Sequence, residues 1–133
     1  MNTHSINLRV RYAETDQMGV VYYSNYLVWF EIARTEFLRE KGLDYNRIEK
    51  ERKIYLPVTE AYCRYRAPLK YDDQFTIVTK LKDVENSRMT FEYDVRKGDR
   101  TVTTGYTRHA FINEKGKPIP IPEDIKEILT SDE

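Results

Sequence analysis

The sequence predicts an α+β fold on three observations. An alternating segment, residues 6–12, precedes a long helical run that begins at Ser24 or Asn25 and continues to Lys41. Four strand-like segments follow, joined by short turns. The half of the helix nearest its start is apolar nearly all round, and a lone helix of that kind has to be wrapped by a sheet rather than merely laid on one.

Each element has its own signature. Ile6, Leu8, Val10 and Tyr12 alternate with Asn7, Arg9 and Arg11, the period of a strand with one buried face. Ser24 and Asn25 are both good N-cap types, no Gly or Pro interrupts the run to Lys41, and Gly42 stands where a C-cap glycine belongs. Residues 26–33 are apolar nearly all round, whereas residues 35–41 keep only Phe37 and Leu38 as a stripe, so the first half is expected to be the more deeply enclosed. Residues 44–53 read as a polar connection. Strands are predicted over 54–66, 74–84, 88–97 and 101–113. The third is the clearest, with Met89, Phe91, Tyr93 and Val95 on one face and Lys97-Gly98-Asp99-Arg100 as its hairpin turn. Pro118, Pro120 and Pro122 keep the chain extended before a short polar helix, residues 123–129.

Composition bounds the function. At 133 residues the chain is predicted to be one domain, 1–133. Its 22 basic and 22 acidic side chains leave no net charge, which argues against a nucleic-acid partner. The longest uncharged stretch, residues 17–30, is too short for a membrane span. A single cysteine, Cys63, and the lack of a charged, apolar, small-residue leader pattern lead to an expectation of cytoplasmic residence. His4, His109 and Cys63 form no metal-ligand spacing, and Cys63 in a strand pattern reads as an inert buried thiol. Neither a metal nor a phosphate-cradling Gly-rich loop is expected.

The stretch from Asp16 to Arg34 reads D-x-x-G-V-V-Y-Y-x-N-Y-x-x-W-F-E-x-A-R. It resembles the signature of the 4-hydroxybenzoyl-CoA thioesterase family. The likeness continues through Tyr65-Arg66-Ala67-Pro68-Leu69-Lys70-Tyr71-Asp72-Asp73 and Gly116-Lys117-Pro118, and so covers nearly the whole chain. The resemblance implies the hotdog fold, a five-stranded antiparallel sheet curled around one central helix. It further implies homodimers or homotetramers that bind acyl-CoA at the subunit interface, with no cofactor beyond the CoA of the substrate.

Hydrolysing a thioester requires a group that stabilises charge on the carbonyl oxygen and a group that attacks or activates water. A helix N-terminus carries a partial positive charge of roughly half an electron on its free N–H groups. Asp16 lies eight positions before Ser24, and Gly19 permits a sharp reversal that folds it back over the helix start. The resemblance assigns Asp16 as the catalytic carboxylate, either nucleophile or general base, and the Tyr23 backbone N–H as the group facing the thioester oxygen. Some relatives carry His where Tyr23 stands, so no proton relay is expected there. Asp16-Gln17-Met18-Gly19 also fits a type I turn that an aspartate merely caps. Glu14 reads as a strand-exit residue that solvates the loop or pairs with Arg9 or Arg11. Glu31 and Glu36 are rival carboxylates on the helix, Glu31 with Arg34 at i+3 as an ion-pair partner. Arg88 is the first candidate for the CoA phosphates, with Arg64, Arg66 and Lys70 as alternatives. Pro57, Val58 and Thr59 resemble the segment lining the acyl pocket. The expected function is hydrolysis of an acyl-CoA to free acid and CoA. A non-catalytic acyl-CoA binder and a hotdog dehydratase are the alternatives, the latter disfavoured because neither histidine is near the helix start.

Overall fold

The computed structural model describes residues 2–131. Its elements in chain order are β1 Thr3–Arg9, a 3₁₀ turn Tyr12–Glu14, α1 Asn25–Glu40, α2 Tyr45–Arg52, β2 Val58–Tyr65, β3 Gln74–Glu85, β4 Arg88–Lys97, β5 Arg100–Ala110 and α3 Glu123–Thr130. The strands form one five-stranded antiparallel sheet in the order β1-β3-β4-β5-β2, so β1 and β2 are its edges.

The helix α1 packs on one face of this sheet through the alternation read in β4. Met89, Phe91, Tyr93 and Val95 are all buried. Phe30 stacks on Tyr93 with ring centroids 4.1 Å apart and nearly parallel planes, and Phe37 meets Phe91 edge-on at 5.4 Å. Each buried aromatic of this kind stabilises the fold by about 1.5–3 kcal/mol. The helix approaches closely because β5 carries Gly105 beneath it: a Cβ there would lie 2.6 Å from both Phe30 Cε2 and the Tyr62 carbonyl oxygen. After Lys41, the Gly42 N–H donates to the Arg39 carbonyl at 2.9 Å and the Leu43 N–H to the Leu38 carbonyl at 2.9 Å, the paired bonds of a Schellman cap.

Four expectations need correction. The apolar first half of α1 is enclosed on one side only. Tyr26, Trp29, Phe30 and Ala33 are buried, but Leu27 and Val28 are 40% and 51% exposed, because a single sheet covers a single face. Residues 44–53 are not a plain connection but contain α2, started by Asp44, whose Oδ1 accepts from the Asn46 N–H at 3.0 Å. The second strand begins at Val58 rather than at residue 54; Pro57 offers no N–H to a ladder, and only the isolated Tyr55–Ile112 bridge precedes it. The first strand ends at Arg9, and the chain then turns through Tyr12, which is 78% exposed.

Candidate functional site

A short hairpin carries Asp16. Thr15 pairs with Val21, the Asp16 N–H donates to the Val20 carbonyl at 2.9 Å, and Gly19 turns the chain with φ 81°, a conformation that favours glycine. Asp16 Oδ1 accepts from the Met18 N–H at 2.8 Å, and the Gly19 N–H donates to the Asp16 carbonyl at 3.0 Å. The turn geometry is therefore present, and it engages one carboxylate oxygen. The half-buried side chain lines an open cleft of about 530 Å³ with Tyr12, Thr15, Gln17, Gly19 and Tyr71. The Tyr22 hydroxyl is held above the usual tyrosine range, first by its hydrogen bond to Tyr23 and in smallest part by the Asp16 charge.

The start of α1 has free donors. Ser24 precedes the helix with helical dihedrals, and its side chain makes no capping bond. Among the described residues, neither the Tyr23 nor the Ser24 backbone N–H has a hydrogen-bond partner. Tyr65 Oη donates to the Tyr23 carbonyl at 3.1 Å, and the Tyr65 ring meets the rings of Tyr23 and Tyr26 edge-on.

Glu14, expected to solvate the loop or pair with an arginine, is 6% exposed. It does pair with Arg11, at 3.3 Å, but its other partners are internal. Oε1 accepts from the Arg11 N–H at 2.8 Å and Oε2 from Trp29 Nε1 at 2.9 Å. Its backbone carbonyl accepts from the Tyr22 N–H and from Asn25 Nδ2, both at 2.9 Å. Burial of the carboxylate follows from these donors. The signal was weak in sequence, since the strand ends at Arg9 and the 3₁₀ turn that follows exposes Tyr12 while burying the charged Glu14.

The rival carboxylates stand apart from the Asp16 cleft. Glu31 accepts from Thr35 Oγ1 at 3.2 Å and does not form the expected ion pair with Arg34, whose charge instead faces Tyr93 and opposes the upward shift that burial gives its hydroxyl. With Arg34, Leu38, Tyr45, Met89 and His109, Glu31 lines a separate cavity of about 140 Å³. Glu36 pairs with Arg39. His109 is buried, with Nδ1 3.1 Å from the Leu56 carbonyl and Nε2 2.9 Å from Thr107 Oγ1, so both ring nitrogens are engaged. Burial, reinforced by the Arg34 charge, lowers its pKa to about 4. Cys63 is half-buried, and burial raises its thiol pKa, which disfavours the thiolate. Among the described residues no group of three or more His, Cys, Asp or Glu side chains is arranged to hold a metal ion, and no helix is long and apolar enough to cross a membrane.

The remaining candidates gather at the opposite end of the sheet. Arg88 pairs with Ala110, whose N–H donates to the Pro57 carbonyl at 3.3 Å, and Val58 pairs with His109. Thr59 sits at the bulge after Val58, its hydroxyl donating to the Arg108 carbonyl at 3.2 Å. Pro57, Val58, Thr59 and Arg88 are all exposed. They are separated from Tyr65, Tyr23 and Asp16 by the eight residues of β2, about 23 Å of strand. One chain therefore carries Asp16 on the hairpin that leads into α1 and Arg88 beside residues 57–59, but does not join the two groups. Arg64, Arg66 and Lys70 are exposed near the Asp16 end.

Residues 10–129 match the thioesterase-like superfamily. The acyl-CoA thioesterase YbgC of Haemophilus influenzae is 29% identical over 126 residues, covering 94% of this chain and 93% of the relative. A crystal structure of a hypothetical protein from Aquifex aeolicus superposes with a TM-score of 0.90 at 37% identity, covering 96% and 99% of the two chains. The DHNA-CoA thioesterase of Staphylococcus aureus superposes with a TM-score of 0.90 at 31% identity, covering 95% of this chain and 87% of that one. With one helix laid on a five-stranded antiparallel sheet and this agreement along nearly its whole length, the chain belongs to the thioesterase-like superfamily, in the hotdog-fold family of 4-hydroxybenzoyl-CoA thioesterase, and is a thioester hydrolase.

Proposed function

We propose that this enzyme hydrolyses an acyl-CoA to the free acid and CoA, with Asp16 as the reacting carboxylate and the Tyr23 N–H as donor to the thioester oxygen. The observation that carries this reading is the unpartnered Tyr23 N–H at the start of α1, joined to the Asp16 hairpin through the Tyr22-to-Glu14 backbone bond. A donor held in place before the reaction, in a region walled by aromatic side chains, stabilises developing negative charge at no reorganisation cost. Asp16 then acts either on a bound water as general base or directly on the carbonyl carbon. In the second case the Asp16 carboxylate displaces CoA as its thiolate, which takes a proton from solvent, and water then cleaves the mixed anhydride to release the acid and restore Asp16.

The separation of Asp16 from Arg88 supports a site shared between subunits. If two β2 edges pair antiparallel about a two-fold axis, the Val58 end of one chain lies beside the Tyr65 end of the other. Arg88 of the partner subunit then serves the CoA phosphates, and residues 57–59 line the path of the acyl-CoA. A dimer of this kind, or a tetramer built from two, completes a site that each chain holds in halves. Cytoplasmic residence belongs to the same reading, which leaves the lone Cys63 unpaired.

The test is turnover over a panel of short, long and aromatic acyl-CoAs by wild type and Asp16→Asn. The variant keeps an acceptor for the Met18 N–H but cannot attack or take a proton, so turnover is expected to fall on the order of 10²- to 10⁴-fold with KM little changed. Asp16→Asn that is destabilised but turns over normally per folded molecule would assign Asp16 to the turn alone.

A further inference from the structure

We propose that Glu14 is a positioning residue for the reaction, setting Asp16 relative to the start of α1; the inference rests on the Asp16 reading above. Glu14 lies two residues before Asp16 and is tied at both its side chain and its backbone. Its carboxylate receives the Trp29 indole N–H, from the second turn of α1, and the Arg11 N–H, from the exit of β1. Its carbonyl receives the Tyr22 N–H, immediately before Tyr23, and Asn25 Nδ2, from the first residue of α1. One residue therefore links the strand exit, the Asp16 hairpin, the oxyanion donor and the helix.

The consequence for chemistry is geometric. The hairpin has an exposed tip, Gln17 to Gly19, and the Asp16 side chain spends one oxygen on its own turn. The Val21 N–H, donating to the Leu69 carbonyl at 2.8 Å, and the Val20–Lys70 bridge hold the hairpin's second arm, but its first arm has to be fixed to the helix separately. Glu14 does this from the buried side, and the Tyr22 bond holds the chain in the course that leaves the Tyr23 N–H unpartnered. Misplacing a reacting group by about 1 Å costs on the order of 100-fold in rate, so loss of this tether should act on kcat while substrate contacts elsewhere hold KM.

Glu14→Gln changes one acceptor oxygen into an NH₂ that faces a donor. Asn25→Ala removes only the helix-side strap to the Glu14 carbonyl. Each is made alone and combined with Asp16→Asn, and kcat and KM are measured on the panel acyl-CoA that wild type turns over fastest. Glu14→Gln is expected to lose on the order of 10- to 100-fold in kcat with KM within about twofold. Because it acts through Asp16, it should add little to the loss already caused by Asp16→Asn. Normal kcat in Glu14→Gln, with Asp16→Asn inactive, overturns the positioning role and leaves the Asp16 reading intact. A full multiplicative loss in the double variant also overturns it, since Glu14 would then act independently. Normal turnover in Asp16→Asn sinks both readings. If Glu14→Gln does not fold, Asn25→Ala decides by the same comparison: a kcat loss absorbed by Asp16→Asn supports the tether, and unchanged kcat overturns it.

Discussion

Glu14 and His109 are both enclosed polar side chains, and the chain satisfies them in opposite ways. Glu14 collects donors from three parts of the structure, whereas His109 completes a relay. His109 Nδ1–H donates to the Leu56 carbonyl, which leaves Nε2 to accept from Thr107 Oγ1, itself 2.6 Å from the Tyr93 hydroxyl. That pattern requires neutral imidazole, in keeping with a folded-state pKa of about 4 set mainly by burial. An unfolded histidine takes its proton near pH 6.5. As pH falls from about 6.5 to about 4 the unfolded state therefore gains a proton that the folded state refuses, and stability drops by up to about 3 kcal/mol. Urea titrations at pH 7 and pH 4 are expected to show this loss in wild type and a clearly smaller one in His109→Gln. Equal losses would mean that the imidazole titrates freely in the fold.

At the scale of elements, Gly105 sets how closely α1 approaches the sheet. An alanine there has to displace the Phe30 ring and the Tyr62 carbonyl, of which the second is backbone and cannot swing aside. Gly105→Ala is expected to cost about 1–3 kcal/mol, visible as a lower thermal midpoint, with a larger effect than Gly98→Ala at the hairpin tip. The elements that could be read from sequence are those whose pattern is set by one dominant contact. β4 shows unbroken alternation because one face meets α1, and α1 ends at Gly42 because its last carbonyls need the Schellman bonds. The helix α2 was hidden because it buries no side chain fully and has only the Asp44 cap to announce it. At the site, the turn before α1 was legible from Gly19 and the spacing to the helix start, whereas the roles proposed for Asp16 and Tyr23 came from the family resemblance. Glu14 was not, because its burial depends on Trp29 reaching back from fifteen residues away.

For the whole molecule, the exposed apolar side chains fall in two groups, one of them Tyr12, Met18, Tyr22 and Tyr71 around the Asp16 hairpin and the other along α1 and β2. Tyr23, Leu27 and Val28 on and before α1, and Val58, Tyr62 and Tyr65 on the unpaired edge β2, are all at least 40% exposed. An open edge beside apolar surface is an association hazard unless it is covered. Light scattering at micromolar concentration is expected to give a dimer or tetramer, and Val28→Glu to give folded monomers without turnover. A wild-type monomer with full activity would contradict a shared site.

The opposite placement of Asp16 and Arg88 along one sheet also has a genetic consequence. If each site draws Asp16 from one chain and Arg88 from the other, Asp16→Asn and Arg88→Glu lie in different halves of the site, and two dead alleles can complement. In a mixed dimer one site carries both lesions and the other carries neither. Co-expressed in equal amounts with random pairing, the two variants should recover about a quarter of wild-type sites, although neither alone recovers any. No recovery from stable, mixed dimers would place Asp16 and Arg88 in service of the same chain's substrate.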